Sequence, residues 1–279
     1  FIFQIARLAD AKITLFNGGI PGLLEKNHHD VAWRDLVDFS IAAIPLITSG
    51  RTTRKLQRSE YETIARKLKS LHIDVLIMAG GDGSLQFLNT LSEFDINCFG
   101  VGMTIDNDVY GSHYTIGFST ACEQIIKEVS RLRNTGRALP GRVFMVELLG
   151  GYCGELTLQS AIKCNADIAL IPECQMSLDA LAERVRQKLT VQNSVIILCS
   201  EGYTREYSPG FQGAIDTMIK QLEPRIGERI RKTIVGYGLR NGDPTCEEIY
   251  QGTIMASEVV RCIQSGMKNK AIIINQSNK

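Results

Sequence analysis

Short runs of aliphatic and β-branched residues alternate along this chain with longer stretches in which apolar positions recur at helical spacing. The short runs predict strands at 13–16, 75–78, 97–101, 143–146, 168–171, 195–198, 233–236 and 271–274. The longer stretches predict helices over 59–71, 121–134, 178–190 and 213–227, with another helix-like run at 85–91. In the first of these, Ile64, Leu68 and Leu71 fall on one helical face. Most strand runs are apolar throughout, as strands must be when helices cover both faces of a sheet. Repeated strand, helix, strand order therefore predicts an α/β fold with mostly parallel sheets flanked by helices.

Glycine and polar residues cluster just beyond several strands: Asn17-Gly18-Gly19, Gly80 to Ser84, Gly150-Gly151 and Glu201-Gly202. Open α/β sheets bind ligands beyond the carboxyl ends of their strands, so this placement predicts one cleft rimmed by several loops. The chain opens inside a helical pattern (1–8) with no strand before it. We therefore expect it to lack part of its natural N-terminus, and some of its C-terminus.

Composition narrows the function classes. With 279 residues, 44% of them hydrophobic and 22% charged, the chain has an ordinary globular make-up and can bury a sizeable core. A formal net charge of +1 gives no support to nucleic-acid or membrane-surface binding. No apolar run of membrane-spanning length occurs, and no signal peptide is evident. The eight cysteines form no C-x-x-C pair and the four histidines no cluster, so reduced cysteines in a cytoplasmic protein are expected rather than zinc or disulfides.

Two segments carry chemistry. Gly80-Gly81-Asp82-Gly83-Ser84 stands between a strand and a helix, where glycines let backbone N–H groups approach phosphate oxygens. Phosphate would repel an acid in such a loop unless a cation mediated, which makes Asp82 a candidate ligand of Mg²⁺. Thr104-Ile105-Asp106-Asn107-Asp108 follows the next strand. On an extended backbone its two aspartates would face the same way, one serving as base and the other helping to hold the metal.

In this context the chain resembles the phosphofructokinases, and the resemblance runs along nearly its whole length. Its motifs are Gly-Gly-Asp-Gly-Ser, Thr-Ile-Asp-Asn-Asp, Tyr114-Thr115-Ile116-Gly117-Phe118 and Val146-Glu147-x-x-Gly150, in the family's order. They continue with Cys153-Gly154-Glu155-Leu156, Ile171-Pro172-Glu173, Ser200-Glu201-Gly202 and Gly236-x-x-x-Arg240-x-Gly242-x-Pro244. The resemblance implies phosphoryl transfer from ATP to fructose 6-phosphate with Mg²⁺. It implies Asp106 as the base, Thr104 beside it, and Asp82 and Asp108 as metal holders. Gly81, Gly83, Ser84 and Arg51 would contact the nucleotide. Gly150, Gly151, Glu201, Arg231, Tyr237 and Arg240 would line the substrate site. Arg142 would come from a neighbouring subunit of a homo-oligomer, a dimer or tetramer. Two similar Rossmann-like lobes are implied: 1–117 with 240–279 for the nucleotide, and 118–239 for the sugar phosphate, with the cleft between them.

The departures shape the alternatives. Gly151 stands where the family carries an arginine, Met103 matches neither the ATP-type nor the pyrophosphate-type residue, and Tyr237 replaces a histidine. The family's N-terminal Gly-Gly-Asp loop is not in the sequence, and Arg133 alone can be carried over from the effector site. A kinase for another sugar phosphate, or a weakened or inactive paralogue that binds nucleotide or a partner subunit, stays open beside the main reading.

Overall fold

The computed structural model describes residues 1–9, 11–25, 27–38, 46–50, 52, 54–207 and 213–275. In chain order these form α1 (Ile2–Ala9), β1 (Thr14–Phe16), α2 (Gly19–Leu24), β2 (His28–Asp30), α3 (Trp33–Asp38) and α4 (Arg58–Ser70). Next come β3 (Val75–Gly80), α5 (Asp82–Ser92), β4 (Asn97–Thr104), β5 (Ile116–Gly117), α6 (Phe118–Ala138), β6 (Arg142–Leu148) and α7 (Glu155–Cys164). The chain continues through β7 (Ile168–Leu170), α8 (Leu178–Leu189), β8 (Ser194–Ser200), α9 (Ala214–Ile226), β9 (Ile230–Ile234), α10 (Cys246–Gln264) and β10 (Lys270–Ile272). Two compact units result. Unit 1 holds Phe1–Thr104, Val109–Ile116 and Asp243–Lys279; unit 2 holds Ile105–Asp108 and Gly117–Gly242.

In unit 1, β10, β4 and β3 lie side by side and parallel, with Gly80 opposite Gly102 at the carboxyl end. A core of Ile64, Leu68, Phe87, Leu88, Leu91 and Ile96 covers the sheet. α4 starts at a capping box: the Gln57 N–H donates to Glu60 Oε2 at 2.8 Å. Arg54 grips the same carboxylate at 2.7 Å through each guanidinium nitrogen, which holds Glu60 down at about 2. The strand read at 13–16 pairs antiparallel with β2, a strand that His28–Asp30 did not announce. A polar three-residue run has no apolar signature to read.

Unit 2 is built on four parallel strands in the order β7-β8-β6-β9. Every residue of β8 is buried, as the continuous apolar run required. Val143, Met145, Ile197, Leu181, Val185, Met218 and Leu222 form its core with α8 and α9. α8 is capped by Ser177, whose Oγ accepts the Ala180 N–H at 3.2 Å. β9 begins three residues earlier than the apolar run 233–236 suggested. Pairing with β6, from Val143 opposite Ile230 to Glu147 opposite Ile234, sets its limits. Gly236 instead opens a 3₁₀ turn with φ +53°. Among the described residues no helix is long and apolar enough to cross a membrane.

Candidate active site

In unit 1, β3 delivers the chain almost directly into α5. Gly80 is the last strand residue, Gly81 is the N-cap and Asp82 already belongs to the helix. The expected loop is thus a one-residue turn, with the Ser84 N–H donating to the Gly81 carbonyl at 2.9 Å. A helix start leaves its first N–H groups without intrahelical acceptors and favours negative charge. The same dipole favours the exposed Asp82 carboxylate in the first turn. A side chain on Gly80 would have to displace Ser84, since a Cβ there would lie 2.3 Å from Ser84 Oγ. Around Gly83 the space is open to 4 Å, and a Cβ on Gly81 would lie 3.8 Å from the Thr104 Cβ.

Beyond Thr104 the backbone departs from the expected extended course. The chain bends at Ile105 and Asp106, and Asn107 adopts a left-handed conformation with φ +54°. Asp106 and Asp108 therefore flank a turn; strand alternation does not align them. Asp106 is half-buried and Asp108 exposed. Burial, aided by the nearby Glu173 and Asp108 carboxylates, pushes the Cys153 thiol up, which ties Asp108 to the loop after β6.

The carboxyl edge of the unit 2 sheet is rich in side chains. The Gly151 N–H donates to Glu201 Oε1 at 2.9 Å, and the Glu201 N–H donates to the Leu148 carbonyl at 2.9 Å. These bonds tie the loop after β6 to the loop after β8. Gly151 has φ +58°, and nothing stands within 4 Å of where its Cβ would be. Glu147, at the end of β6, is pushed up by burial and by the Glu201 carboxylate, against the opposing pull of Lys232. Lys232 itself pairs with Asp216 at 2.6 Å. Two guanidiniums sit over exposed rings: Arg205 over Tyr152 at 4.6 Å and Arg240 over Tyr237 at 5.4 Å.

Arg231 does not join this group. It is the second residue of β9, at the opposite edge of the sheet from Arg240, while Arg142 opens the adjacent β6. Burial, followed by the neighbouring Arg142 and Arg229 charges, lowers the Arg231 guanidinium, and its Nη1 is buried without a hydrogen-bond partner among the described residues.

Compared with known families, residues 2–263 match the model described as phosphofructokinase. The chain belongs to the phosphofructokinase family. A relative from Spiroplasma citri, named ATP-dependent 6-phosphofructokinase, is 32% identical over 278 residues, covering 97% of this chain and 80% of the relative. One from Mycoplasma pneumoniae, named probable ATP-dependent 6-phosphofructokinase, is 30% identical over 279 residues, covering 100% of this chain and 83% of its own. Among solved structures, phosphofructokinase of Pichia pastoris in the T-state superposes with a TM-score of 0.86 at 23% identity. That match covers 99% of this chain but only 34% of the Pichia chain, and it speaks to the fold.

Within this family frame, the structure brings Gly81 beside Thr104 in unit 1, and Gly151 onto Glu201 in unit 2. Arg51 lies outside the described residues. Met103 is exposed at the end of β4. Arg133 donates to the Asn165 carbonyl at 2.6 Å, a bond that helps hold the end of α7. Glu147, Tyr152 and Arg205 were missed as site candidates. Glu147 could have been flagged, since it is a lone acid in an apolar strand run. Nothing in the sequence singles out an arginine that stacks on a tyrosine more than fifty positions away.

Proposed function

We propose that the chain moves the γ-phosphoryl group of ATP to the 1-hydroxyl of fructose 6-phosphate. The observation that carries this reading is the match along 97% of the chain to a relative named for ATP-dependent 6-phosphofructokinase activity. In this reading Asp106 accepts the hydroxyl proton as the sugar oxygen attacks phosphorus, with Thr104 beside it. Glu201 accepts a hydrogen bond from a sugar hydroxyl, and the Gly151 N–H fixes the direction of its carboxylate. Gly150 and Gly151 border the sugar, and Arg240, over Tyr237, grips the 6-phosphate with its planar fork.

On the nucleotide side, Gly81, Gly83 and Ser84 at the start of α5 receive the ATP phosphates, and Arg51 is assigned a nucleotide contact. The exposed carboxylates of Asp82 and Asp108 suit Mg²⁺, which takes oxygen ligands and typically uses one or two carboxylates plus substrate phosphates. When bound, Mg²⁺ neutralises charge on the phosphoryl group in transfer. Arg142 and Arg231 are assigned together to a neighbouring subunit's sugar phosphate in a homo-oligomer, a dimer or tetramer. An anion from across an interface would relieve the crowding of like charges at Arg231. We place the enzyme in the cytoplasm.

A coupled assay with ATP, Mg²⁺ and fructose 6-phosphate tests the reading. Asp106→Ala is expected to lower turnover by about 10²–10⁴-fold. The reading is abandoned if the unaltered chain turns over no faster than Asp106→Ala. A kinase for a different sugar phosphate is the second reading, favoured by the exposed Tyr237. A larger thermal shift with another sugar phosphate than with fructose 6-phosphate would establish it.

A further inference from the structure

We infer that Arg205, held ready by Tyr152, is a phosphate-binding residue of the unit 2 site and supplies the cation that Gly151 cannot. The inference rests on the phosphotransferase reading above. Arg205 is the third residue of a 3₁₀ helix, Tyr203–Tyr207, that begins two positions after Glu201. This turn is anchored from below. Tyr203 is 1% exposed, and its hydroxyl both donates to the Met176 carbonyl at 3.0 Å and accepts the Met176 N–H at 3.2 Å. The Thr204 hydroxyl donates to the Glu201 carbonyl at 3.1 Å. Arg205 is therefore carried by a fixed turn beside a substrate-facing carboxylate.

Its guanidinium lies over Tyr152, the residue next to Gly151, whose N–H already orients Glu201. Gly151, Tyr152, Glu201 and Arg205 thus form one contiguous group. Glu147 and Glu201 are both acidic, and Lys232 is committed to Asp216. Among the described residues Arg205 has no ion-pair partner. A guanidinium stacked on a ring has its face covered while its N–H donors stay directed outward, available to an anion. Arg240 on Tyr237 repeats the arrangement at the same edge. The empty space beside Gly151 leaves room for the phosphate that Arg205 would meet.

The test uses the full chain with Arg205→Ala, Arg205→Lys, Tyr152→Leu and Tyr152→Phe, read by steady-state kinetics and by calorimetric titration with inorganic phosphate. Arg205→Ala is expected to lower kcat/KM for fructose 6-phosphate by about 10²-fold while the KM for ATP holds. Arg205→Lys recovers part of the loss. Tyr152→Leu costs about threefold, and Tyr152→Phe, which keeps the ring under the guanidinium, costs less than Tyr152→Leu. An unchanged kcat/KM in Arg205→Ala overturns the inference. So does an equal loss in Arg205→Lys accompanied by a weaker KM for ATP, the mark of a general fold defect. If the unaltered chain shows no turnover, the phosphotransferase reading falls and calorimetry alone decides. Phosphate binding that weakens in Arg205→Ala then upholds Arg205 as an anion contact, whereas equal or absent binding ends the inference.

Discussion

Units 1 and 2 both end parallel strands in candidate site residues, yet they offer different chemistry there. Unit 1 offers backbone: a strand, a one-residue turn and the start of α5, with glycine at positions 80, 81 and 83. Unit 2 offers side chains: Glu147, Glu201, Arg205 and Arg240, each set by burial, a hydrogen bond or an aromatic ring. Their frames differ as well. β8 is buried at all seven positions, whereas β3 is fully buried only at Leu76. Backbone recognition tolerates a lightly covered strand because the helix start sets its own geometry. Side-chain recognition needs a rigid floor, because each group must be aimed separately.

The largest effect is expected in that floor. Ile197→Ala, at a position with no exposure, should cost about 2–5 kcal/mol. Met78→Ala in the half-buried β3 should cost less than about 2 kcal/mol. Urea unfolding followed by circular dichroism measures both, and the fluorescence of Trp33, the single tryptophan, reports on unit 1. Equal losses would erase the contrast between the two sheets.

Next in size is a pair of glycines in the β3–α5 turn. Gly80→Ala must displace Ser84 and should cost about 1–3 kcal/mol. Gly83→Ala meets no neighbour and sits inside a helix, so it should stabilise by about 0.5–1 kcal/mol. It should nevertheless raise the KM for ATP, because its methyl group fills space that the phosphates would use. Thermal melts and ATP kinetics on the same samples separate the two outcomes. An unaltered KM would remove Gly83 from the phosphate contacts.

Smaller again is Ser177→Ala, which strips the α8 cap and should cost about 1 kcal/mol without touching kcat. A fall in kcat would mean that the unit 2 edge responds to strain in its distant helices. The smallest effect belongs to Glu147. Its folded pKa is raised, so the stability it contributes is full below the ordinary carboxylate range and is lost as pH climbs through the raised value. Glu147→Gln should therefore melt higher than the unaltered chain at pH 7, with the gap closing near about pH 4. A constant gap would assign the effect to packing instead of charge.

Legibility in the sequence followed the same division. Apolar runs located the central strands of both sheets, and the Gly80 to Ser84 pattern marked the unit 1 turn, because hydrophobic burial and glycine geometry leave local traces. The β9 limits were misread because cross-strand pairing to β6 sets them, and pairing is not written in one segment. The extended course drawn through Asp106 and Asp108 failed at Asn107, a residue type that tolerates the left-handed region. Arg205 was unreadable because Tyr152, the ring beneath it, arrives from a distant part of the chain.

Gly151 carries a consequence for adding a charge at that position. Its φ of +58° is a conformation in which an L side chain costs about 1–2 kcal/mol. Gly151→Arg would therefore strain or relax the loop that holds Glu201, so a cation enters this edge at a lower cost from a neighbouring turn than at 151 itself.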